Sequence, residues 1–359
     1  MIACNLYVST AHRTLLMALL HQAQRHCTAV ENAIVVHAYA DTVYKRSSFH
    51  LAGHAEAVSA MASDIAVTAI QELRKQQSTT TSNGSAMQSE EEQAVVDHPH
   101  VGLVDHISMM PLTSRKEGDD NEDSALPTTA EQDAAAWAAQ QVGQTLNDSL
   151  GIHILLYGLA HPQQTPLAII RREQTNFFQS GGAMGSGVPN HIGSQKETAT
   201  VGAPPEFVEN YNIRLRNTVT RKQAQSLTRR IRERDGGLIG VEALTLPYSN
   251  GRWEVACNLL QPNSNNSKSG GATANDIQNV ANEWEKEQQQ QRAQQQTSTL
   301  VENGYRVGTT VEQCIKVWEQ IMPSSPSSAS DGDDSRENIE RRRSIHDKGV
   351  MQHFQKLFC

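Results

Sequence analysis

The sequence has 359 residues, enough for two or three domains, of which 38% are hydrophobic and only 5% aromatic. Its 31 basic and 39 acidic residues give a net charge of −8, which argues against general nucleic-acid binding. No apolar run reaches the ~18 residues that span a bilayer, and a strand-like segment, IACNLYVS, begins at residue 2. We therefore expect a soluble, cytoplasmic protein without a signal peptide, with neither nucleic acid nor membrane as a partner.

The cysteines are widely scattered along the chain. Their number is odd and no two of them have C-x-x-C spacing, which argues against a disulfide framework or a structural zinc site. We expect buried free thiols in a reducing compartment at Cys4, Cys27, Cys257, Cys314 and Cys359.

The first half of the chain alternates between strand-like and helix-like patterns. One of the helical patterns places Val58, Met61, Ile65 and Leu73 near a single face. The patterns predict strands at 2–9, 33–40, 47–53, within 94–112 and at 152–160, and helices at 12–27, 55–74 and about 130–149.

The second half repeats the order strand, helix, strand, strand, helix, strand. A basic helix ends at Gly236–Gly237, which is a typical helix stop. The patterns predict strands at 205–215, 238–247, 252–260 and within 303–309, and helices at 219–234, 275–296 and 310–321.

Two halves with the same element order predict an α/β (α+β) fold of two subdomains, each a mixed β-sheet with helices packed on one face. A glycine-rich stretch between them predicts a connecting loop at a junction where ligand sites are common. Polar, low-complexity stretches predict disordered insertions. The first subdomain is predicted at 1–180, with insertions at about 76–93 and 114–129, and the connecting loop at 181–203. The second subdomain is predicted at 204–321, with an insertion at about 261–275. Residues 322–359 are predicted as a disordered tail, in which 340–358 is compatible with a short amphipathic helix.

The stretch AVVDHPHVGLVDHISMMPL (94–112) places three histidines in a run that otherwise resembles a buried strand. Because Pro99 lacks an N–H donor, we expect its two flanking histidines, His98 and His100, at the entrance of the strand rather than inside it. From the residues alone, three interpretations stay open. The histidines are ordinary loop residues, or one neutral imidazole transfers protons, or His98, His100, Asp105 and His106 bind a metal ion.

The chain resembles the formiminotransferase domain of formiminotransferase-cyclodeaminases, and still more the smaller proteins built around its N-terminal subdomain. The matching segments occur in the family's order and cover most of residues 1–320. They are DTVYKRSSFHLAG (41–53), HPHVGLVDHISMMPL (98–112), LLYG (155–158), LAIIRR (167–172), VGAPPEFVENYNIRL (201–215) and EVACNLL (254–260).

The resemblance implies transfer of a formimino group from formiminoglutamate to N5 of tetrahydrofolate, a step of one-carbon metabolism and histidine catabolism. Tetrahydrofolate would be the co-substrate, bound in a tunnel between the two subdomains, and no metal would be needed. The partners would be small molecules, folate and formiminoglutamate. The resemblance is also compatible with a homodimer. The family's catalytic histidine stands first in H-P-x-x-G, which is His98 here, and one imidazole can both accept and return the proton.

Further site residues follow from the same resemblance. Asp41 matches the family's acidic partner, or else is a plain turn residue. Asp105 would orient His98 or His106, or would cap the strand. The guanidinium groups of Arg46 and of Arg171 or Arg172 suit the carboxylates of folate or glutamate.

Two departures from the family fall on the presumed ligand side. His100 stands where the family commonly has arginine, and the folate-binding loop has Asn190 in place of an aspartate. We still assign His100, Asn190, Gly193 and Gly202 to the binding of folate or substrate. These departures leave open a second interpretation, a folate-binding or regulatory module with weak or no catalysis.

Overall fold

A computed structural model of the protein describes the chain in segments. These are residues 1–30, 32–82, 98–113, 126–175, 177, 197–260, 271–291, 299–322 and 336–358.

The first sheet has six strands in the order β2-β3-β1-β4-β6-β5. β4, β5 and β6 run parallel to one another, whereas β1, β2 and β3 pair antiparallel with their neighbours. The sheet is therefore mixed, as predicted. Its strands are β1 (Ile2–Val8), β2 (Ala33–Asp41), β3 (Arg46–Gly53), β4 (Val104–Pro111), β5 (His153–Gly158) and β6 (Thr198–Ala203), and its helices are α1 (Arg13–Val30), α2 (Ala55–Ser82), α3 (Thr129–Leu150) and α4 (Leu167–Gln174).

One face of this sheet holds the main hydrophobic core. Because successive side chains of a strand point to opposite faces, Cys4, Leu6 and Ile107 pack with the apolar sides of α1, α2 and α3. The start of α3 is fixed by a capping box, in which the Thr128 hydroxyl and the Glu131 carboxylate satisfy each other's backbone N–H groups. These three helices therefore cover one face of the sheet, and the site lies on the opposite face.

The second sheet has four antiparallel strands in the order β10-β7-β9-β8. Its core pairs Ile213, Val255 and Cys257 with the buried Trp284. Its elements are β7 (Val208–Leu215), α5 (Arg221–Ile231), β8 (Val241–Tyr248), β9 (Arg252–Leu260), α6 (Ala274–Gln291), β10 (Val301–Arg306) and α7 (Val311–Ile321). Two sheets with helices packed against them confirm the predicted fold class. The first sheet differs in detail, because α4 and α7 pack on the face opposite α1, α2 and α3. Among the described residues no ligand tunnel between the sheets is shown, so the tunnel stays a prediction.

The faces that the helices leave free turn toward each other. The Tyr7 hydroxyl on β1 donates to the Asn210 side-chain oxygen on β7 at 2.9 Å, and Tyr44, in the turn after β2, packs edge-on against Tyr248 of β8. On the same face of the first sheet as Tyr7, α7 covers an apolar area that includes Ala3 and Ile34, through Cys314 and its neighbours. Polar side chains are therefore concentrated where the two sheets meet.

Two observed elements extend into segments that were predicted to be irregular. Residues 198–203, assigned to the connecting loop, form β6 between β4 and β5, because parallel pairing with two buried strands outweighs the weak strand preference of a short Gly- and Ala-containing segment. Helix α2 also continues to Ser82, into the stretch predicted to be a disordered insertion. Of the cysteines whose side chains the structure describes, Cys4, Cys257 and Cys314 are buried free thiols.

The last part of the predicted tail is helical, in the region where the sequence is compatible with a short helix. Residues Arg336–Lys356 form a 21-residue helix, α8, which packs on α1 and on the edge strand β2. The His346 ring donates to the Val35 carbonyl at 2.9 Å, and Phe354, fully buried, packs near Phe49. Burial of these apolar groups offsets the entropy of ordering the tail.

Met351 tests this docking, because it is 8% exposed and belongs to the core of the first sheet. We expect Met351→Ala to lower the free energy of unfolding by about 2 kcal/mol, the lower end of the range for such truncations. The control is Ile345→Ala on the same helix, since Ile345 is 63% exposed. Urea unfolding measures both, and equal effects of the two substitutions would contradict the packing of α8.

Candidate active site

The turn that precedes β4 carries the two histidines of the H-P-H segment. His98 and His100 both lie before the first residue of the strand, Val104, which confirms their predicted position at a strand entrance. A residue of β4 stabilises the turn, because the Asp105 carboxylate accepts a hydrogen bond from the backbone N–H of Val101 at 2.8 Å. His100 has its Nδ1 3.2 Å from the His98 carbonyl and stays next to the site.

Asp105 lies at the centre of the candidate site and is fully buried. Its Oδ2 is 2.8 Å from Nη2 of Arg46 and 3.2 Å from Nη2 of Arg171. Burial alone would raise the pKa of this carboxyl, but Arg171 and Arg46 outweigh it and hold the pKa well below its usual range. Asp105 is therefore an anion that positions two guanidinium groups, rather than a direct partner of His98.

His98 is a neutral imidazole with a defined tautomer. Its Nδ1 lies 2.7 Å from the Pro99 carbonyl, and since a carbonyl only accepts, the proton is on Nδ1. Arg46 Nη1 lies 2.9 Å from Nδ1 and 3.0 Å from Nε2 of the ring. Burial, and after it the charge of Arg46, lowers the pKa of His98 to about 3. The ring thus has one lone pair, on Nε2, and the Arg46 nitrogen lies over the ring, nearly equidistant from its two nitrogens.

The hairpin between β2 and β3 brings Arg46 to this position. The Asp41 carboxylate accepts from the backbone N–H groups of Val43 and Tyr44, each at 2.9 Å, which is the geometry of a turn cap. Asp41 is thus engaged in the turn that aims the hairpin, and the structure gives it no contact with His98. Its catalytic assignment stays a prediction, whereas its role as a turn residue is visible.

A second polar cluster faces the hairpin from the second sheet. The Tyr44 ring lies between the rings of His98 and Tyr248, 5.1 Å and 5.2 Å from their centroids. Behind Tyr248, the Arg214 guanidinium stacks at 3.9 Å from the ring centroid and pairs with the fully buried Glu254. Side chains of both sheets therefore surround the region of His98.

Three further residues belong to this layer, Tyr7, His106 and Tyr157, of which the sequence patterns did not single out Tyr7. Tyr7 lies under the Arg46 guanidinium, 4.3 Å from the ring centroid, and stacks against His106. His106 in turn shares a 2.8 Å hydrogen bond with the Tyr157 hydroxyl. Polar and apolar residues alternate along the strands of the first sheet, and this alternation puts Tyr7 and His106 on the face opposite the core. That pattern could have indicated both residues as candidates for the site.

The remaining predicted residues have mixed outcomes. Arg171 joins the cluster and is 7% exposed, whereas Arg172, the next residue on α4, is exposed to solvent. Gly202 lies in β6 directly beneath Tyr157, where an added Cβ would come within 2.4 Å of the ring, so its small size is required for packing. Asn190 and Gly193 lie outside the described residues.

Two general features complete the description. Within the described segments, no group of three or more His, Cys, Asp and Glu side chains is arranged to hold a metal ion. No helix in the part of the chain that the structure describes is long and apolar enough to cross a membrane.

The buried histidines of this face predict a pH-dependent stability. His50 is 1% exposed, and burial, with His37 second, lowers its pKa well below the usual value. Below pH ~6.5 the unfolded chain therefore gains a proton that the folded chain does not, which lowers stability by about 1.4 kcal/mol per pH unit. Glutamine does not titrate in this range. Between pH 7 and pH 5 we therefore expect the free energy of unfolding of His50→Gln to rise by about 2 kcal/mol relative to that of wild type. Urea unfolding at both pH values tests this, and a constant difference would contradict it.

The fold and the site define an α/β protein in which two sheets face each other across a polar layer that contains a neutral histidine and paired arginines. Residues 90–204 match the model of the formiminotransferase domain, N-terminal subdomain. The chain is also 27% identical, over 242 residues, to a formiminotransferase cyclodeaminase-like protein of Arabidopsis thaliana, an alignment that covers 64% of this chain and 70% of the relative. Both matches show that the chain is similar to formiminotransferases, which confirms the resemblance found in the sequence.

Proposed function

We propose that this protein transfers a formimino group from formiminoglutamate to N5 of tetrahydrofolate, with His98 as the acid/base residue. The observation that carries the proposal is the neutral His98 imidazole beside the Arg46–Asp105–Arg171 cluster, at the place where the two sheets meet. A base needs a lone pair, and His98 has one on Nε2. An anionic substrate needs cations, and two arginines share one aspartate.

The charge of the cluster favours an anionic ligand. Arg46 and Arg171 carry two positive charges against the single negative charge of Asp105, since His98 is neutral. The Nε atoms of both arginines are buried and have no hydrogen-bond partner among the described residues. Guanidinium groups with free donors at a partly buried site suit the bidentate recognition of a carboxylate. Formiminoglutamate and the glutamate moiety of folate both carry such groups.

The proposed chemistry needs one proton acceptor and no oxidant. N5 of tetrahydrofolate attacks the amidinium carbon of the donor, so that an N5–C bond forms. His98 Nε2 accepts the N5 proton and then returns it to the glutamate nitrogen while the bond between that nitrogen and the formimino carbon breaks. The products are 5-formiminotetrahydrofolate and glutamate. One imidazole thus serves both halves of the reaction.

The second candidate function is a folate-binding or regulatory module with weak or no catalysis. Two observations favour it. The Arg46 guanidinium lies against the His98 ring, where its charge opposes protonation of the imidazole, and the family's usual arginine is replaced by His100 next to the site. In that case the layer between the sheets would bind folate without efficient proton transfer.

One set of measurements separates these functions. Purified protein is mixed with tetrahydrofolate and formiminoglutamate, with and without a chelator, while calorimetry measures tetrahydrofolate binding. Release of glutamate at the same rate with and without chelator supports the proposed transferase. Binding without glutamate release supports the module. Loss of activity on chelation would instead support the metal-dependent alternative that uses His98, His100 and Asp105.

The cellular setting belongs to the same proposal. We place the protein in the cytoplasm, in folate-dependent one-carbon metabolism and histidine catabolism, with small molecules as its partners and neither nucleic acid nor membrane as a target. A homodimer is compatible with this setting, and sedimentation of the purified protein tests the oligomeric state.

A further inference from the structure

The C-terminal helix α8 carries a serine that follows three arginines. The segment reads RRRSI at residues 341–345, so that arginines stand two and three positions before Ser344 and an apolar residue, Ile345, follows it. Kinases select substrates by charge patterns of this kind, in which arginines pair with carboxylates of the enzyme. A similar pattern, KRSSF, surrounds Ser48. The pattern alone therefore does not identify a site.

Burial separates the two serines. Ser48 lies inside β3 and is 1% exposed, whereas Ser344 is exposed. Ile345 is 63% exposed and Arg341 also lies on the surface, although Arg343, directly before the serine, is buried. The pattern around Ser344 is therefore largely presented to solvent, and the pattern around Ser48 is not.

The structure of α8 provides access to the serine. A kinase has to reach the chain on both sides of Ser344, which a packed helix does not permit. The buried apolar residues of α8 all follow Gly349, and opening of residues 336–348 releases one buried side chain, Arg343, and the hydrogen bond of His346 to a backbone carbonyl of β2. Glycine in a helix interior lowers stability relative to alanine, and a Cβ at Gly349 would meet no atom within 4 Å. The first part of the helix can therefore open at Gly349 while the apolar contacts stay in place.

The closed helix also offers partners for a phosphate. Ser344 lines a groove of about 560 Å³ between α8 and α1. Basic groups outnumber carboxylates among its charged lining residues, which are His21, Arg25, Glu340, Arg343, Asp347 and Lys348. A phosphoserine carries a charge of about −1.5 to −2 and accepts charge-assisted hydrogen bonds from such groups. Lys348 follows Ser344 by one helical turn, which is the spacing at which side chains pair on a helix.

We propose that Ser344 is a phosphorylation site for an arginine-directed serine kinase, reached when the first part of α8 opens, and that its phosphate holds α8 against α1 when the helix closes. In the transfer, the Ser344 hydroxyl oxygen bonds to the γ-phosphorus of ATP, the bond from that phosphorus to the oxygen of ADP breaks, and the hydroxyl proton passes to a base of the kinase. This modification does not depend on the proposed function.

The first test incubates the full-length protein with Mg²⁺-ATP and a cyclic-AMP-dependent protein kinase, and locates the phosphate by mass spectrometry. We expect phosphate at Ser344 and none at Ser48. Arg341→Ala is expected to lower the rate by about tenfold, since it removes a charge-assisted contact with the kinase. Arg336→Ala, at another exposed arginine of α8, is expected to leave the rate within about twofold. Absence of phosphate at Ser344, or an equal rate in Arg341→Ala, would overturn the site.

The second test concerns the opening and closing of α8. Gly349→Ala is expected to slow phosphorylation by about fivefold, because it stabilises the helix without altering the arginines. A rate equal to that of wild type would overturn access through opening. In the phosphorylated protein, amide hydrogen exchange of α8 is expected to slow, and Arg25→Gln is expected to remove most of that effect. Faster exchange after phosphorylation would overturn the proposed binding of the phosphate, while the mass spectrum still decides the acceptor.

Discussion

Replacement of Asp105 by asparagine is expected to lower the free energy of unfolding by about 3–5 kcal/mol, as is typical when one partner of a buried ion pair is removed. The Asp105 side chain is fully buried, and the side chains of its partners Arg46 and Arg171 are 16% and 9% exposed. Without the carboxylate, two cations face each other in a partly buried site, and the turn at Val101 loses a charged acceptor. Urea unfolding at pH 7 measures the change.

The matched control for this substitution is Asp235→Asn. Asp235 pairs with Arg232 three residues earlier, and it is 27% exposed. An exposed pair of this kind contributes at most about 1 kcal/mol. If Asp105→Asn lowered stability no more than Asp235→Asn, the central position of Asp105 in the site would be wrong.

Replacement of His98 by glutamine is expected to lower kcat for formimino transfer by about 10²–10⁴-fold, the usual contribution of a general acid/base residue. Tetrahydrofolate binding is expected to change little, because the ligand contacts proposed for Arg46 and Arg171 remain. Steady-state assays of glutamate release and calorimetric titration with tetrahydrofolate measure the two quantities.

The same substitution at His153 provides the control, since His153 is exposed at the start of β5. It is expected to leave kcat within about twofold. Comparable activity of wild type and His98→Gln would mean that another group carries the proton, and the catalytic assignment would be wrong.

The sequence supported the overall fold because most elements have strong local patterns. The apolar period of α2 and the alternation in β1 each indicate both the type of element and its buried side. β6 was missed since a segment as small as TATVGA owes its strand structure to β4 and β5 on either side. α8 was predicted as a mostly disordered tail because local sequence does not reveal that α1 and β2 offer a surface for Phe354.

The candidate site was predictable only in part for a similar reason. His98, Arg46 and Arg171 were chosen from matching motifs, and the structure brings them together around Asp105. Tyr7 was not chosen, since alternation shows which face of a strand a residue occupies but not what lies opposite. Its contacts with Arg46 and with Asn210 of the second sheet arise from residues far apart in the chain.

A crystal structure of the protein with 5-formyltetrahydrofolate, a stable analogue that carries a carbonyl in place of the imine, tests the central claim most directly. We expect N5 of the pteridine within about 3 Å of His98 Nε2, or one water away. A ligand bound with N5 far from His98, on a surface formed by only one of the two sheets, would contradict it.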